Sequence, residues 1–173
     1  MTVEPAREHA RRVADTLAKL SATGADVWVA TASAERADDA AAADPAEAAA
    51  GARAHLVPLS LAWLDGCVVI AVEQASLTAR NLAASGAARL GLGPTRDVVM
   101  IDARVDRMLP LDGVPADVAE RYAVQTGWDP RTTGPGYLLI FLRPQRIQAW
   151  REENELAGRT LMRAGVWLGS DGS

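Results

Sequence analysis

Ala6, Ala10, Val13, Leu17 and Leu20 recur at spacings of three and four, with Arg7, Glu8, Arg11, Arg12 and Asp15 largely on the other side. The spacing predicts an amphipathic helix over residues 4–20, with Pro5 in its first turn and Gly24 just past its end. From Asp26 to Ala34 the period falls to near two, with Val27, Val29 and Thr31 on one side and Trp28 on the other, which reads as a strand. His55 to Leu64 alternates again and puts Val57, Leu59, Leu61 and Trp63 on one face. Asp65-Gly66 then marks a tight turn, and Cys67 to Val72 returns, so this hairpin is expected to carry much of the core. Pro58 has no N–H for a ladder, which places an edge or a bulge there.

Ser76 to Ser85 reads as a short helix capped by Ser76 and closed by Gly86. Strand-like runs follow at Arg89–Leu92 and Val98–Val105. Pro115 to Thr126 reads as a second short helix that pairs Val118 with Tyr122 and stops at Gly127. Tyr137 to Leu142 is an apolar strand, which Ile147 to Trp150 continues beyond Pro144. Strands in succession, rather than in regular alternation with long helices, imply a mainly β fold with peripheral helices: an antiparallel sheet or small barrel.

Residues 35–54 are rich in Ala, Asp and Glu and offer few large apolar anchors, so they are expected to form a surface insertion outside the core. The length of 173 residues fits one domain, and 49% hydrophobic with 23% charged residues is ordinary for a globular chain. A net charge of −4 gives no general attraction to nucleic acid. No leader pattern or long apolar run is evident, so a cytoplasmic location away from the membrane is expected. Arginine supplies every basic residue except Lys19, and alanine is abundant, a bias that suggests a GC-rich bacterial genome.

The inventory for direct chemistry is thin. His9 and His55 are too few and too isolated for a metal centre, and no metal site is expected. His9 reads as solvated, while His55 at a strand start reads as a structural residue or an acid–base group. Cys67 lies in an apolar strand with no neighbouring cation and reads as a buried, inert thiol. Glu152, Glu153 and Glu155 read as a solvated acidic surface, and Gly91-Leu92-Gly93 lacks the rest of a dinucleotide fingerprint. No catalytic constellation is assigned, so an enzyme built from these residues would take its reactivity from a cofactor.

One segment points to a ligand. In Ser76-Leu77-Thr78-Ala79-Arg80-Asn81-Leu82, two hydroxyls and a guanidinium fall near the start of a helix, where free N–H groups and the dipole favour an anion. Arg80 is unfavourable there by a few tenths of a kcal/mol unless an anion is near, so it either faces a phosphate or points into water.

Three pieces together resemble the pyridoxamine-phosphate-oxidase-like flavin and deazaflavin proteins, whose fold is a split β-barrel. They are His55-Leu56-Val57-Pro58-Leu59 leading into Asp65-Gly66, the Ser76–Leu82 turn with its Arg-Asn-Leu, and Arg143-Pro144-Gln145-Arg146-Ile147-Gln148-Ala149-Trp150. The likeness covers about residues 24–155 as a single core preceded by the 4–20 helix. It implies FMN binding, with the deazaflavin coenzyme (F-420) as the alternative. His55, Leu56, Val57, Pro58 and Leu59 would border the ring, Ser76, Thr78, Arg80 and Asn81 would hold the phosphate, and Trp150 would close the site. It also implies a homodimer whose subunits complete each other's sites.

Departures from the family pattern shape the function expected. Ser60 stands where true pyridoxamine-phosphate oxidases have a lysine, and Leu156-Ala157-Gly158 stands where they carry an Arg-x-His pair. Vitamin B6 oxidation is therefore not expected. Thr78 replaces a lysine frequent in the deazaflavin members, which ranks FMN first. The expectation is an oxidoreductase that passes hydride or electrons to a small organic acceptor. A non-catalytic flavin or haem carrier of the same fold is a further alternative.

Overall fold

The tight turn expected at Asp65-Gly66 is a real hairpin bend. Both residues take positive φ, +52° and +76°, the type I′ geometry that matches the twist of the strands it joins. The computed structural model describes residues 5–34 and 52–169. The hairpin joins β2 (Ala52–Leu64) to β3 (Cys67–Glu73). The other strands are β1 (Asp26–Ala34), β4 (Ala87–Leu92), β5 (Val98–Pro110), β6 (Tyr137–Trp150), β7 (Thr160–Arg163) and β8 (Val166–Trp167). The helices are α1 (His9–Ser21), α2 (Leu77–Ser85) and α3 (Ala116–Thr126).

All strand pairs are antiparallel, in the order β3-β2-β1-β4-β5-β6-β7-β8. An additional β3–β6 pairing closes six of them, β1, β2, β3, β6, β5 and β4, into a barrel. The interior is filled by the alternating sets predicted above. Leu61, Val68, Ile70, Leu90, Ile101, Ile140 and Leu142 are fully buried, and each larger aliphatic contributes about 1.5–3 kcal/mol. Val57, Leu59 and Trp63 pack against this cluster. A second cluster lies outside the barrel wall, where Cys67, Val69 and Ala71 meet Tyr122 of α3 and Phe141 of β6. β3 is thus covered on both faces, which is why its sequence is a continuous apolar run.

Proline is accommodated where the ladder is already interrupted. Pro144 lies beside a register shift between Asp102 and Ala103 of β5. On its other side, the β3 ladder has ended at Leu142 and the β7 ladder has not yet begun at Arg146. The two apolar runs flanking Pro144 are therefore one 14-residue strand.

Other expectations are corrected. α1 starts at His9 and buries Arg12, Thr16 and Leu20, while Ala10 is exposed. Its inner face is partly ionic because Glu155, read as solvated, is only 2% exposed and receives Arg7 through Nε at 2.9 Å and a terminal nitrogen at 2.7 Å. Asp15 and Asp97 complete the cluster around Arg7, at 2.9 and 3.0 Å. His9 is half-buried, with Nε2 3.0 Å from the Leu168 carbonyl. β7 and β8 were not anticipated, being four and two residues long. Of the expected insertion at 35–54, residues 52–54 belong to β2 and residues 35–51 lie outside the described residues.

Candidate functional site

The barrel opens between its second and third strands. β2 and β3 pair from Leu64↔Cys67 to Leu61↔Ile70; beyond that point β2 follows β1, and β3 follows β6 as far as Glu73↔Tyr137. The Leu61 N–H donates to the Ala25 carbonyl at 3.0 Å, so odd-numbered residues of β2 turn their backbone groups toward β1. The even ones, Leu56, Pro58 and Ser60, turn theirs toward the gap. Pro58 therefore forfeits no ladder bond, because the side it faces is unpaired.

A cleft of about 590 Å³ occupies this gap. One wall is Val57 to Ser60, the opposite wall is Ala71 to Glu73, and Ser76 to Thr78 at the start of α2 form one end. Tyr122, Trp128 and Tyr137 line the remainder. Tyr122 is fully buried, which pushes its phenol well above the ordinary range, against a backbone hydrogen bond from Ala71 that acts in the opposite direction. Continued β2–β3 pairing would have set Ala71 against Ser60, and at this split Tyr122 packs in one cluster with Ala71. Trp128 is held by its N–H to Thr126 Oγ1 at 3.3 Å, and its ring meets Tyr137 edge-on with centroids 5.5 Å apart.

The structure brings together most of the residues singled out from the sequence. His55, Val57, Pro58, Leu59, Ser76 and Thr78 line the cleft. Ser76 caps α2, its Oγ accepting from Ala79 N at 3.1 Å, and Gly86 ends the helix in the left-handed conformation. Thr78, 3% exposed, lies 3.1 Å from His55 Nε2. Arg80 is exposed and donates to the Ala75 carbonyl at 3.1 Å. Asn81 turns inward instead, 1% exposed, and donates to Thr31 Oγ1 at 3.0 Å. Leu56 points out of the barrel wall, 59% exposed. Trp150 sits at the far end of β6, opposite Val98, with the Arg159 guanidinium 5.2 Å from its ring, and is not among the residues lining the cleft.

Glu73 and the three aromatic residues were not foreseen as site residues. Tyr122 was legible as a helix residue packing inward, but nothing in its spacing says that the surface it meets is a gap between strands. Cys67 is buried, which pushes its thiol up, and it is not among the residues lining the cleft. Among the described residues, no three His, Cys, Asp or Glu side chains gather into a metal-binding group, and no helix is long and apolar enough to cross a membrane.

The donor set suits a flat heteroaromatic ring carrying an anionic tail. The volume is typical of small-molecule sites, and aromatic and aliphatic walls flank polar groups at one end. The Ser76 side chain uses Ala79 N, which leaves the Leu77 and Thr78 N–H groups as the unsatisfied donors of the first turn. Arg80 has no carboxylate partner among the described residues, so its charge is open to an anion.

No protein-family model matches the chain, and no curated protein matches by sequence. Solved structures match by shape. A protein named F420 Reductase superposes with a TM-score of 0.53 at 15% identity, covering 75% of this chain and 94% of its own. A putative pyridoxamine 5'-phosphate oxidase from Listeria innocua gives 0.53 at 10% identity, covering 80% and 98%. A heme binding protein from Mycobacterium smegmatis gives 0.56 at 16% identity, covering 95% of this chain and 60% of that one. With the closed six-strand barrel and its cleft, these likenesses identify the fold as the split β-barrel of the pyridoxamine 5'-phosphate oxidase-like proteins.

Proposed function

We propose that this protein is a flavin-dependent oxidoreductase that holds FMN in the β2–β3 cleft and reduces a small organic acceptor. The observation that carries the reading is the cleft itself, with an aromatic wall facing free strand edges and the N-terminus of α2 at one end; Arg80, on that helix, lies outside the cleft lining and is exposed. Bound there, the flavin would supply the hydride chemistry. Leu77 and Thr78 N–H groups, Ser76 and Arg80 would hold the phosphate, and the free edge of β2 offers backbone donors and acceptors to the polar rim of the ring. Trp128 and Tyr137 would exclude water from the acceptor. Ser60 lines the cleft where a lysine would mark vitamin B6 oxidation, which argues for another acceptor.

FMN ranks above the deazaflavin coenzyme because Thr78 offers a hydroxyl, already 3.1 Å from His55, and no cation for a longer anionic tail. The absorption spectrum of the purified protein and parallel fluorescence titrations with FMN and the deazaflavin coenzyme test the reading. FMN binding is expected to be the tighter. Tenfold tighter deazaflavin binding would reverse the cofactor, and binding of neither would remove the function.

Self-association fits the same reading. The outer face of β1 and β2 exposes Trp28 (52%) and Leu56 (59%) beside a shallow groove floored by Ala30, Ala32, Ala87 and Ala88. We assign this face to a homodimer contact. Sedimentation of wild type against Trp28→Glu tests it, the variant being expected to run as a monomer.

A further inference from the structure

We propose that His55 is the proton donor of the cleft and that Thr78 is the residue that positions it. This rests on the flavin reading above and adds to it a residue for the second half of the reaction. Two-electron reduction of an organic acceptor takes up one hydride and one proton. A flavin held there would supply the hydride; the proton must come from a side chain or from water.

His55 lies on β2 opposite Thr31, half-buried on the face shared with Val57 and Leu59, and it lines the cleft. The other titratable side chains lining it are Glu73 from β3, Tyr122 from α3 and Tyr137 from β6, and α2 adds Arg80 outside it. Of these side-chain types, imidazole alone changes charge between pH 5 and 8.

The geometry leaves one ring nitrogen for exchange. Nε2 is 3.1 Å from Thr78 Oγ1, and Thr78 is buried in the first turn of α2. A hydroxyl accepts when Nε2 carries a proton and donates when it does not, so the ring keeps one orientation in both charge states. Thr78 is itself held in place, because Asn81 one turn later ties α2 to Thr31 of β1 at 3.0 Å. No partner of Nδ1 is present among the described residues, and Nδ1 is the atom available to a ligand. In the step, the Nδ1–H bond of the imidazolium breaks and an O–H or N–H bond forms on the acceptor, which takes the hydride at its neighbouring atom. His55 is left neutral and regains a proton from solvent through the cleft mouth.

The chain has two histidines, so ring NMR signals are assigned with a single His9→Gln variant. The first measurement is the titration midpoint of His55 in the FMN-loaded protein. The second is the rate at which menadione reoxidises the reduced, FMN-loaded protein, measured from pH 5 to 9. The rate is expected to fall about tenfold per pH unit above a midpoint equal to the NMR value. His55→Gln, measured at a saturating concentration of FMN, should lose that pH dependence. Thr78→Val should move the NMR and kinetic midpoints together. A His55→Gln protein that keeps the wild-type profile, or midpoints that do not coincide, would overturn the assignment while leaving the flavin reading intact. Failure of wild type to bind FMN would overturn both.

Discussion

Replacing Glu155 by Gln tests whether the ionic cluster under α1 holds that helix to the barrel. The carboxylate is 2% exposed and accepts from the Arg7 backbone N–H at 2.9 Å, Arg7 Nε at 2.9 Å, an Arg7 terminal nitrogen at 2.7 Å and the Arg151 N–H at 2.8 Å. Hydrogen bonding from Arg7 holds its carboxyl down to about 2, against the opposing effect of burial. Breaking one side of a buried pair costs about 3–5 kcal/mol when the remaining charge is left alone. Arg7 retains Asp15 and Asp97, and an amide still accepts through one oxygen, so the expected loss is about 2–3 kcal/mol at pH 7. That corresponds to a fall of roughly 4–12 °C in Tm for a chain of this size. The pH dependence gives an independent check. A carboxyl depressed in the folded state stabilises above its unfolded value of 4.5, and the contribution is lost as pH falls toward 2. Urea melts at pH 7 and pH 3 should therefore show the gap between wild type and variant narrowing in acid. A loss below about 0.5 kcal/mol at pH 7, or a gap that stays constant to pH 3, would refute the reasoning.

Arg80→Ala should weaken FMN binding about 10- to 100-fold and flatten its salt dependence in fluorescence titrations at two ionic strengths, because it removes a charge-assisted contact and the charge that salt screens. Its thermal stability should match or slightly exceed wild type, since alanine is the better helix former and relieves the dipole contact. Tyr122→Ala should destabilise by about 3–5 kcal/mol in urea melts, because the fully buried ring fills the outer cluster between β3 and β6; a loss below about 1 kcal/mol would mean that the cluster closes over the space. Cys67 should react with a chromogenic disulfide only at the rate of unfolding, given its burial and a thiol pushed up by desolvation. Rapid native-state labelling would show that the outer cluster opens.

Local physics determined much of this protein from the order of its residues. Alternation assigns Val27, Val29, Val57, Leu59 and Leu61 to the interior, Asp65-Gly66 sets the hairpin register, and Ser76 and Gly86 delimit α2. Those features depend on side-chain period, turn φ and capping, all of which act within a few residues. The edge at Pro58 was legible for the same reason, as a missing donor. The tertiary structure alone decided what that edge faces. β2 and β3 separate beyond Leu61 because each is claimed by a different neighbour, and the cleft is the space between. Tyr122 on α3 and Trp128 just beyond it reach the cleft from more than forty residues past Thr78, so no local pattern announces them. Asn81 and Glu155 show the same limit from the polar side. Sequence marks each as able to bind a ligand or water, but burial beside Thr31 in one case and Arg7 in the other turns them to internal partners. A polar group's partner is set by which chain segments pack around it, and that is a property of the closed barrel as a whole.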